Sequence, residues 1–415
     1  MNTREVGQAL TPANPRSTAV AVGRRKRLPH EATEFHLRRQ RLAGALAARG
    51  AGALLVSGAP NVRYLSGFTG DNAALLVLPG KTVLFTDPRY AIQAAQQVSC
   101  QVKICKGPLM DGVAAALRKL GAGRIGYDSG RMTCAAFQAL QSHLPMKASL
   151  DPLPGMVEEL RMIKSAGELE LIRRSVELNS RAFELAVRHV RAGMTERDLA
   201  AEIEYRMRRL GAEKPAFETI VAGGRRSALP HAEPTAARLG NGDLVVVDMG
   251  AFCDGYASDM TRMLFLGVPG AHVKRVYRAV LEAQLAGVDA VRAGVAAWKV
   301  DAAARRVLRA YGYDRAFVHS TGHGLGLEIH EPPRLGKRDK TILQPGIAIT
   351  IEPGVYLEGF GGIRIEDTVE VTETGCKILT PTSKELRVIR APWRGLPRRG
   401  SPPWGNLPHE TPISH

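Results

Sequence analysis

The sequence predicts an α/β N-terminal domain followed by an α+β domain with an internal pseudo-two-fold repeat, and three observations carry that expectation. A chain of 415 residues is too long for one ordinary hydrophobic core. In the first third, short apolar strands alternate with helical stretches, the pattern of a sheet covered by helices. In the remainder, a pair of helices followed by a β-hairpin occurs twice in the same order. The expected boundaries are 36–155 and 156–390. They are flanked by a disordered extension at 1–35, which is polar, Pro-containing and aperiodic, and by a Pro-rich tail at 391–415.

The first domain opens with an amphipathic helix from His36 to Arg49, ended by Gly50, and continues into a buried strand from Ala53 to Val56. The segment SGAPNVRYLSGFTGDN is dense in turn residues and reads as a connection. Ala73 to Leu78 and Thr82 to Phe85 form a hairpin across Pro79-Gly80, followed by a helix, a strand at Arg124 to Tyr127 and a helix at Cys134 to His143. VEELRMIKSAGELELIRRS opens one long helix, apolar at Leu169, Ile172, Val176, Phe183, Val187 and Val190, that runs to Gly193 and marks the domain boundary. Thr195-x-x-Asp198 has the form of a capping box and starts the next helix, which stops at Gly211. Helices at about 270–292 and 297–311 repeat the pair, and a second hairpin follows from Ile347 to Val371.

Chemistry concentrates in the hairpins. In LVVVDMGAFCDGYASDMTR, residues 244–262, Asp254-Gly255 suits a two-residue type I′ turn between an arm Leu244 to Phe252 and an arm Tyr256 to Leu266. That turn sets Asp248 opposite Thr261 and puts Asp259 one diagonal step away on the same face. Diagonal neighbours lie about 7–8 Å apart, which lets two short carboxylates converge on cations that in dinuclear sites are about 3.5–4 Å apart. Two acids on one face also fit an ordinary hairpin with solvated carboxylates, so the rest of the chain has to discriminate. The second hairpin carries Glu352 in ITIEPGVY and Glu366 in GIRIEDTVEV, each inside a β-branched run, and VHSTGHGLGLEIHEPP between the hairpins holds His319, His323 and His330. The repeat brings both hairpins to one cleft. Four carboxylates and an imidazole suit two divalent metal ions: oxygen donors favour Mn²⁺ or Mg²⁺, and the imidazole admits Zn²⁺, Co²⁺ and Fe²⁺. Four carboxylates also balance two dications, leaving a hydroxide as the additional anion and the nucleophile.

Several function classes are disfavoured. The formal charge of +17 is distributed along helices, apart from GRRKR at 23–27, and lacks the interleaved aromatics of a nucleic-acid surface, so no nucleic acid is expected. No stretch has the length of a membrane span or of a signal peptide, and the five cysteines form no CxxC pair, which suits a reducing, cytoplasmic setting. HGLGLEIHE lacks the lysine of a phosphate-binding loop.

With Asp248, Asp259, His323, Glu352 and Glu366 in this order, the sequence resembles the M24 metallopeptidases, the pita-bread-fold group of methionine aminopeptidase, aminopeptidase P and prolidase. LPHAEPT around His231, HSTGHGLGLEIHE, IEPGVY and GIRIEDTV carry the resemblance, and NVRYLSGFTG with TDPRY is similar to the creatinase-like N-terminal domain of the proline-specific branch. The resemblance implies a creatinase-like α/β domain ahead of an α+β pita-bread catalytic domain. It implies a homodimer that cleaves a peptide or dipeptide with proline in second position. Asp259 and Glu366 would bridge two metal ions, with Asp248 on one and His323 and Glu352 on the other. Glu352 would be the general base, and His231 and His330 would contact substrate. His319 would line the pocket, Tyr356 would line the site, and Arg364 would orient a ligand carboxylate. Aminopeptidase P-like action on longer peptides is the leading expectation, and strict Xaa-Pro dipeptidase action the alternative. A metal-free creatinase-like amidinohydrolase or a non-catalytic binding relative is disfavoured by the intact ligand set.

Overall fold

A computed structural model describes residues 29–121 and 123–389; GRRKR and the tail at 391–415 lie outside the described residues. The chain enters through α1 (Pro29–Ala48), which starts ahead of the expected His36, within the stretch read as an extension. It continues through β1 (Ala53–Val56), α2 (Ala59–Ser66), β2 (Ala73–Leu78), β3 (Lys81–Thr86), α3 (Ala91–Gln97), β4 (Gln101–Ile104), α4 (Leu109–Leu120), β5 (Arg124–Tyr127), α5 (Cys134–Ser142) and β6 (Ser149–Pro152). The strands form one sheet in the order β4-β3-β2-β1-β5-β6, with β1 antiparallel to β2 and parallel to β5. Alternate side chains serve opposite faces. Leu54, Val56, Leu75, Val77 and Leu84 pack on α1 and α2, whereas Ala53, Leu55, Leu76 and Phe85 pack on α4 and α5. Both faces are therefore dry, which is why these strands read as unbroken apolar runs.

Two helix assignments change. NVRYLSG belongs to α2, because Pro60 lies in its first turn and Gly67, at φ 74°, ends it by donating its N–H to Arg63 O; the residues read as turn formers are its caps. The single long helix is two, α6 (Met156–Met162) and α7 (Ala166–Val187). Ser165 and Glu168 make a reciprocal capping box that starts α7 afresh, and α7 ends before Gly193.

The second domain adds α8 (Glu196–Arg209), β7 (Lys214–Pro215), β8 (Ile220–Gly223), β9 (Leu244–Met249), β10 (Ala251–Cys253), β11 (Tyr256–Ala257), β12 (Met260–Leu266), α9 (Ala271–Asp289) and α10 (Ala297–Ala310). Then come β13 (Gly322–Gly324), β14 (Glu331–Leu335), β15 (Ala348–Ile351), β16 (Gly354–Leu357), β17 (Gly361–Arg364), β18 (Asp367–Val371), β19 (Cys376–Ile378) and β20 (Arg387–Ile389). The larger sheets run β20-β12-β9-β8 and β14-β13-β15-β18-β19, each built around one of the two hairpins. Val245, Val247, Met249, Met260 and Leu264 pack on α7 and α8, while Leu244, Val246, Met263 and Phe265 face α9, α10 and β17. The face that carries Asp248 and Asp259 is thereby turned toward the second repeat.

The two domains share a core. Leu42, Leu46, Leu65 and Phe68 of the first cluster with Ile172, Val176, Tyr256 and Leu325 of the second. Polar ties reinforce it. Arg63 Nη2 donates to Asp254 O at 2.8 Å, Arg131 forks onto Glu328 at 2.7 and 2.6 Å, and the buried Arg161 pairs with Glu331.

Candidate metal centre

The expected register holds. Thr261 pairs with Asp248, Phe252 with Ala257 and Cys253 with Tyr256, all in one frame. Asp254 at φ 52° and Gly255 at φ 81° give the two left-handed residues of a type I′ tip. The ladder breaks between Met249 and Ala251 on one arm and between Ala257 and Met260 on the other, beside both acids. Gly250 allows the close approach there, since a Cβ would lie 2.3 Å from Ser258 O. The second hairpin is likewise interrupted, as four strands rather than two. Ile351 pairs with Asp367 and Gly354 with Arg364 in one frame, so Glu352 and Glu366 stand opposite each other in the gap. The breaks thus release Asp259, Glu352 and Glu366 from the ladders, while Asp248 stays paired in its strand one step from the first break.

These acids meet in a cavity of about 810 Å³ whose wall includes Asp248, Asp259, His323, Glu352, Glu366 and Arg364, together with His231, His319 and His330. Asp259, His323 and Glu366 each offer a ligand atom within 4.8 Å of the others. His323 Nε2 is 3.5 Å from both Asp259 Oδ2 and Glu352 Oε1. Its Nδ1 lies 3.0 Å from Gly324 O, an acceptor only, so Nδ1 carries the proton and the Nε2 lone pair faces the carboxylates. Glu366 Oε2 accepts from Thr261 Oγ1 at 2.8 Å, which links the two hairpins through the site. Arg364 Nη2 donates to Asp248 Oδ2 at 2.5 Å.

Tyr356 is set apart from the histidines and acids on the cavity wall. It is absent from the cavity wall and stands behind it, where its hydroxyl accepts from Arg364 Nη1 at 2.6 Å and lies 2.9 Å from His319 Nε2. Because His319 Nδ1 lies 2.8 Å from Ser320 O, protons point one way along the chain, from Arg364 through Tyr356 and His319 to that carbonyl. His330 stacks edge-on to His323, with ring centroids 4.4 Å apart.

Electrostatics test whether this donor set suits cations. Burial, then Glu366, Asp248 and Glu352, push the Asp259 carboxyl well above the usual carboxylate range. Burial, then Glu352 and Asp248, do the same to Glu366, and burial takes Glu352 up to about 7. Burial and then His330 bring His323 down to about 4, so it is a neutral donor at physiological pH. Asp248 Oδ1 and Asp259 Oδ1 are buried without a hydrogen-bond partner. Crowded acids, orphaned oxygens and an imidazole lone pair aimed at carboxylates are what divalent cations satisfy.

A pH dependence follows. A carboxyl with a raised folded pKa binds its proton more tightly in the folded state, so stability falls as pH rises from the unfolded value near 4.5 through about 7. Chelator-treated protein is expected to lose Tm from pH 5 to pH 8, by on the order of a few kcal/mol of stability. Added Mn²⁺ should flatten the profile. A chelated sample with no such loss would contradict the crowding.

Some residues bearing on the site were not singled out from the sequence. Arg262, Glu196 and Glu331 are buried charges whose partners are distant in sequence, and Arg334 lines the cavity. The only sequence signal was a charge inside the apolar run MTRMLFL, at Arg262.

Metallopeptidase family M24 matches residues 170–373, and the creatinase/prolidase N-terminal domain matches residues 38–163. An Xaa-Pro dipeptidase of Pyrococcus horikoshii is 38% identical over 334 residues, 80% of this chain and 94% of that protein. Among solved structures, the Xaa-Pro dipeptidase from Bacillus anthracis is similar with a TM-score of 0.83 at 37% identity, covering 86% of this chain and 100% of that one. The X-Pro aminopeptidase from Thermotoga maritima gives 0.79 at 38% identity, covering 85% and 100%. A creatinase-type N-terminal domain joined to a paired-hairpin cavity of acids and histidine, with relatives covered over nearly their whole length, is a peptide-bond hydrolase: the chain belongs to metallopeptidase family M24.

Proposed function

We propose that the protein hydrolyses the bond between an N-terminal residue and proline, using two divalent metal ions held by Asp248, Asp259, His323, Glu352 and Glu366. The convergence of these side chains on the wall of one cavity carries the reading. In this reading Asp259 and Glu366 would be shared by the two ions, Asp248 would hold one of them, and His323 with Glu352 would hold the other. When bound, the cations supply Lewis-acid polarisation of the scissile carbonyl and lower the pKa of the attacking water. Glu352 accepts the proton of that water. His231 and His330 contact the substrate carbonyl and its leaving proline nitrogen; burial lowers the His330 pKa, so its ring is neutral and offers one N–H. His319, Tyr356 and Arg364 form the supporting chain that fixes Asp248. The cation is Mn²⁺ in this reading, ahead of Co²⁺, Zn²⁺ or Fe²⁺, because four of five donors are carboxylates. A cytoplasmic homodimer is proposed as its setting.

Both aminopeptidase P-like and dipeptidase action fit the fold. The dipeptidases among the relatives favour the shorter substrate, and Arg334 on the cavity wall offers a cation for a nearby C-terminal carboxylate. Rates on Ala-Pro and Ala-Pro-Ala with Mn²⁺ added decide the matter: a strict dipeptidase turns over only the first. Chelation is expected to abolish both activities and Mn²⁺ to restore them. Full activity in a metal-stripped sample would end the mechanism.

A further inference from the structure

Away from the candidate ligands, Glu196 in the first turn of α8 is a fully buried carboxylate, at 0% exposure. It does not cap its own helix, because Thr195 and Asp198 already form the capping box there. Its oxygens turn instead to the segment between β8 and β9. Oε1 accepts from Gly223 N at 2.8 Å, and Oε2 accepts from Thr235 N at 2.9 Å and Thr235 Oγ1 at 2.7 Å. Arg226 Nε sits 3.1 Å from both oxygens. Residues 223 and 235 bracket a loop whose middle is His231, so one carboxylate ties both ends of the His231 loop together.

The tie extends inward. Arg226 Nη2 donates to Glu233 O at 2.7 Å, two residues past His231. On the opposite side, Arg364 Nη1 donates to Pro230 O at 3.2 Å and Gly362 N donates to Ser227 Oγ at 2.8 Å, so the loop also leans on the hairpin that carries Glu366. The His231 side chain reaches the cavity wall, and among the described residues no hydrogen bond holds its ring. Where that imidazole stands is therefore set by its backbone, and its backbone is set by Glu196 on one flank and Arg364 on the other.

We propose that Glu196 is a positioning residue for the reaction: by tying Gly223 to Thr235 it fixes where His231 presents its ring to the substrate. The inference rests on the substrate-contacting role given to His231 above. Glutamine cannot replace the carboxylate in kind, because its amide offers one acceptor oxygen and a donor NH₂ where both carboxylate oxygens accept, from two backbone N–H groups, the Thr235 hydroxyl and Arg226 Nε. A misplacement of the order of 1 Å is enough to cost about 10²-fold in rate.

The test is a double-mutant cycle on the full-length, Mn²⁺-loaded protein with Ala-Pro: Glu196→Gln, His231→Ala and the double variant, with kcat, KM, bound Mn²⁺ and Tm measured for each. Glu196→Gln is expected to lower kcat about 10–100-fold, the range typical of supporting partners of site residues. KM and Mn²⁺ stoichiometry should stay near wild type. In the His231→Ala background the same substitution should cost less than about 2-fold, since the group it positions is gone. Thr235→Val removes one donor and keeps the backbone bond. Its expected loss is smaller, about 3–10-fold, with the same dependence on His231, and it decides the matter if Glu196→Gln does not fold. An equal loss with and without His231, or loss of Mn²⁺, would overturn the inference while leaving the proposed function intact. If His231→Ala alone leaves kcat unchanged, the role of His231 fails, and the inference falls with it.

Discussion

Asp259→Ala is expected to leave less than about a thousandth of the wild-type rate on Xaa-Pro substrates, because in the proposed site it would be a ligand shared by two cations, and such a ligand contributes several kcal/mol of transition-state stabilisation. The same substitution should reduce the Mn²⁺ bound per chain when the protein is titrated. It should also stabilise the metal-free protein. Asp259 is buried beside Glu366, Asp248 and Glu352, and its Oδ1 has no partner, so removing it relieves desolvation and like-charge repulsion together. Inactivity together with a higher apo Tm than wild type separates loss of a ligand from loss of the fold. An Asp259→Ala protein that retains activity, or whose apo Tm falls, would refute the assignment.

The largest stability effect is expected at Arg262, which is 2% exposed. Its Nη2 pairs with Asp367 Oδ1 at 2.7 Å and donates to Thr382 O at 2.6 Å, while Nε donates to Ser383 O at 2.9 Å and Nη1 to Thr261 O at 3.0 Å and to Glu366 O. One guanidinium thus welds the strand after Asp259 to the strand after Glu366. Arg262→Met removes the cation and leaves several buried carbonyls without a donor, a loss of about 3–5 kcal/mol for breaking a buried pair. Asp367 keeps Gln284 at 2.9 Å and Lys384 at 2.7 Å, which holds the loss to the lower part of that range. Urea unfolding reads it as a fall in midpoint at unchanged slope. Arg262→Lys is not expected to rescue, since an ammonium cannot reproduce the planar fork. A midpoint within error of wild type for Arg262→Met would show that the weld is not needed.

The metal-site candidates were legible because strand register is rigid. Once Asp254-Gly255 fixes the tip, every residue of that hairpin has a known opposite and a known face, and an acid in a β-branched run stands out. The helical boundaries were less legible, because proline, glycine and serine serve caps and turns alike. Gly67 ends α2 rather than opening a loop, and Ser165 divides α6 from α7. Glu196 and Glu331 could not be read at all, and Arg262 showed only as a charge inside an apolar run. Their meaning lies in partners that are distant in sequence, and a single chain does not state which charges it buries together. Whether Tyr356 lines the site or stands behind it could not be read, because that depends on side-chain depth rather than on strand register.

The clasp on the first hairpin tip has a consequence for cooperativity. A Cβ on Gly255 would stand 2.0 Å from Arg63 Cζ, so the turn is glycine both for its backbone and because a guanidinium from the neighbouring domain lies against it. The tip, the strand that leads to Asp259 and the sheet of the first domain are therefore one mechanical path. Cutting the chain near residue 155 would strip this contact and uncover Ile172, Val176, Tyr256 and Leu325 at once. The two sequence domains are therefore expected to unfold together rather than one after the other, and the geometry of the acidic cavity is only as rigid as a unit that spans both.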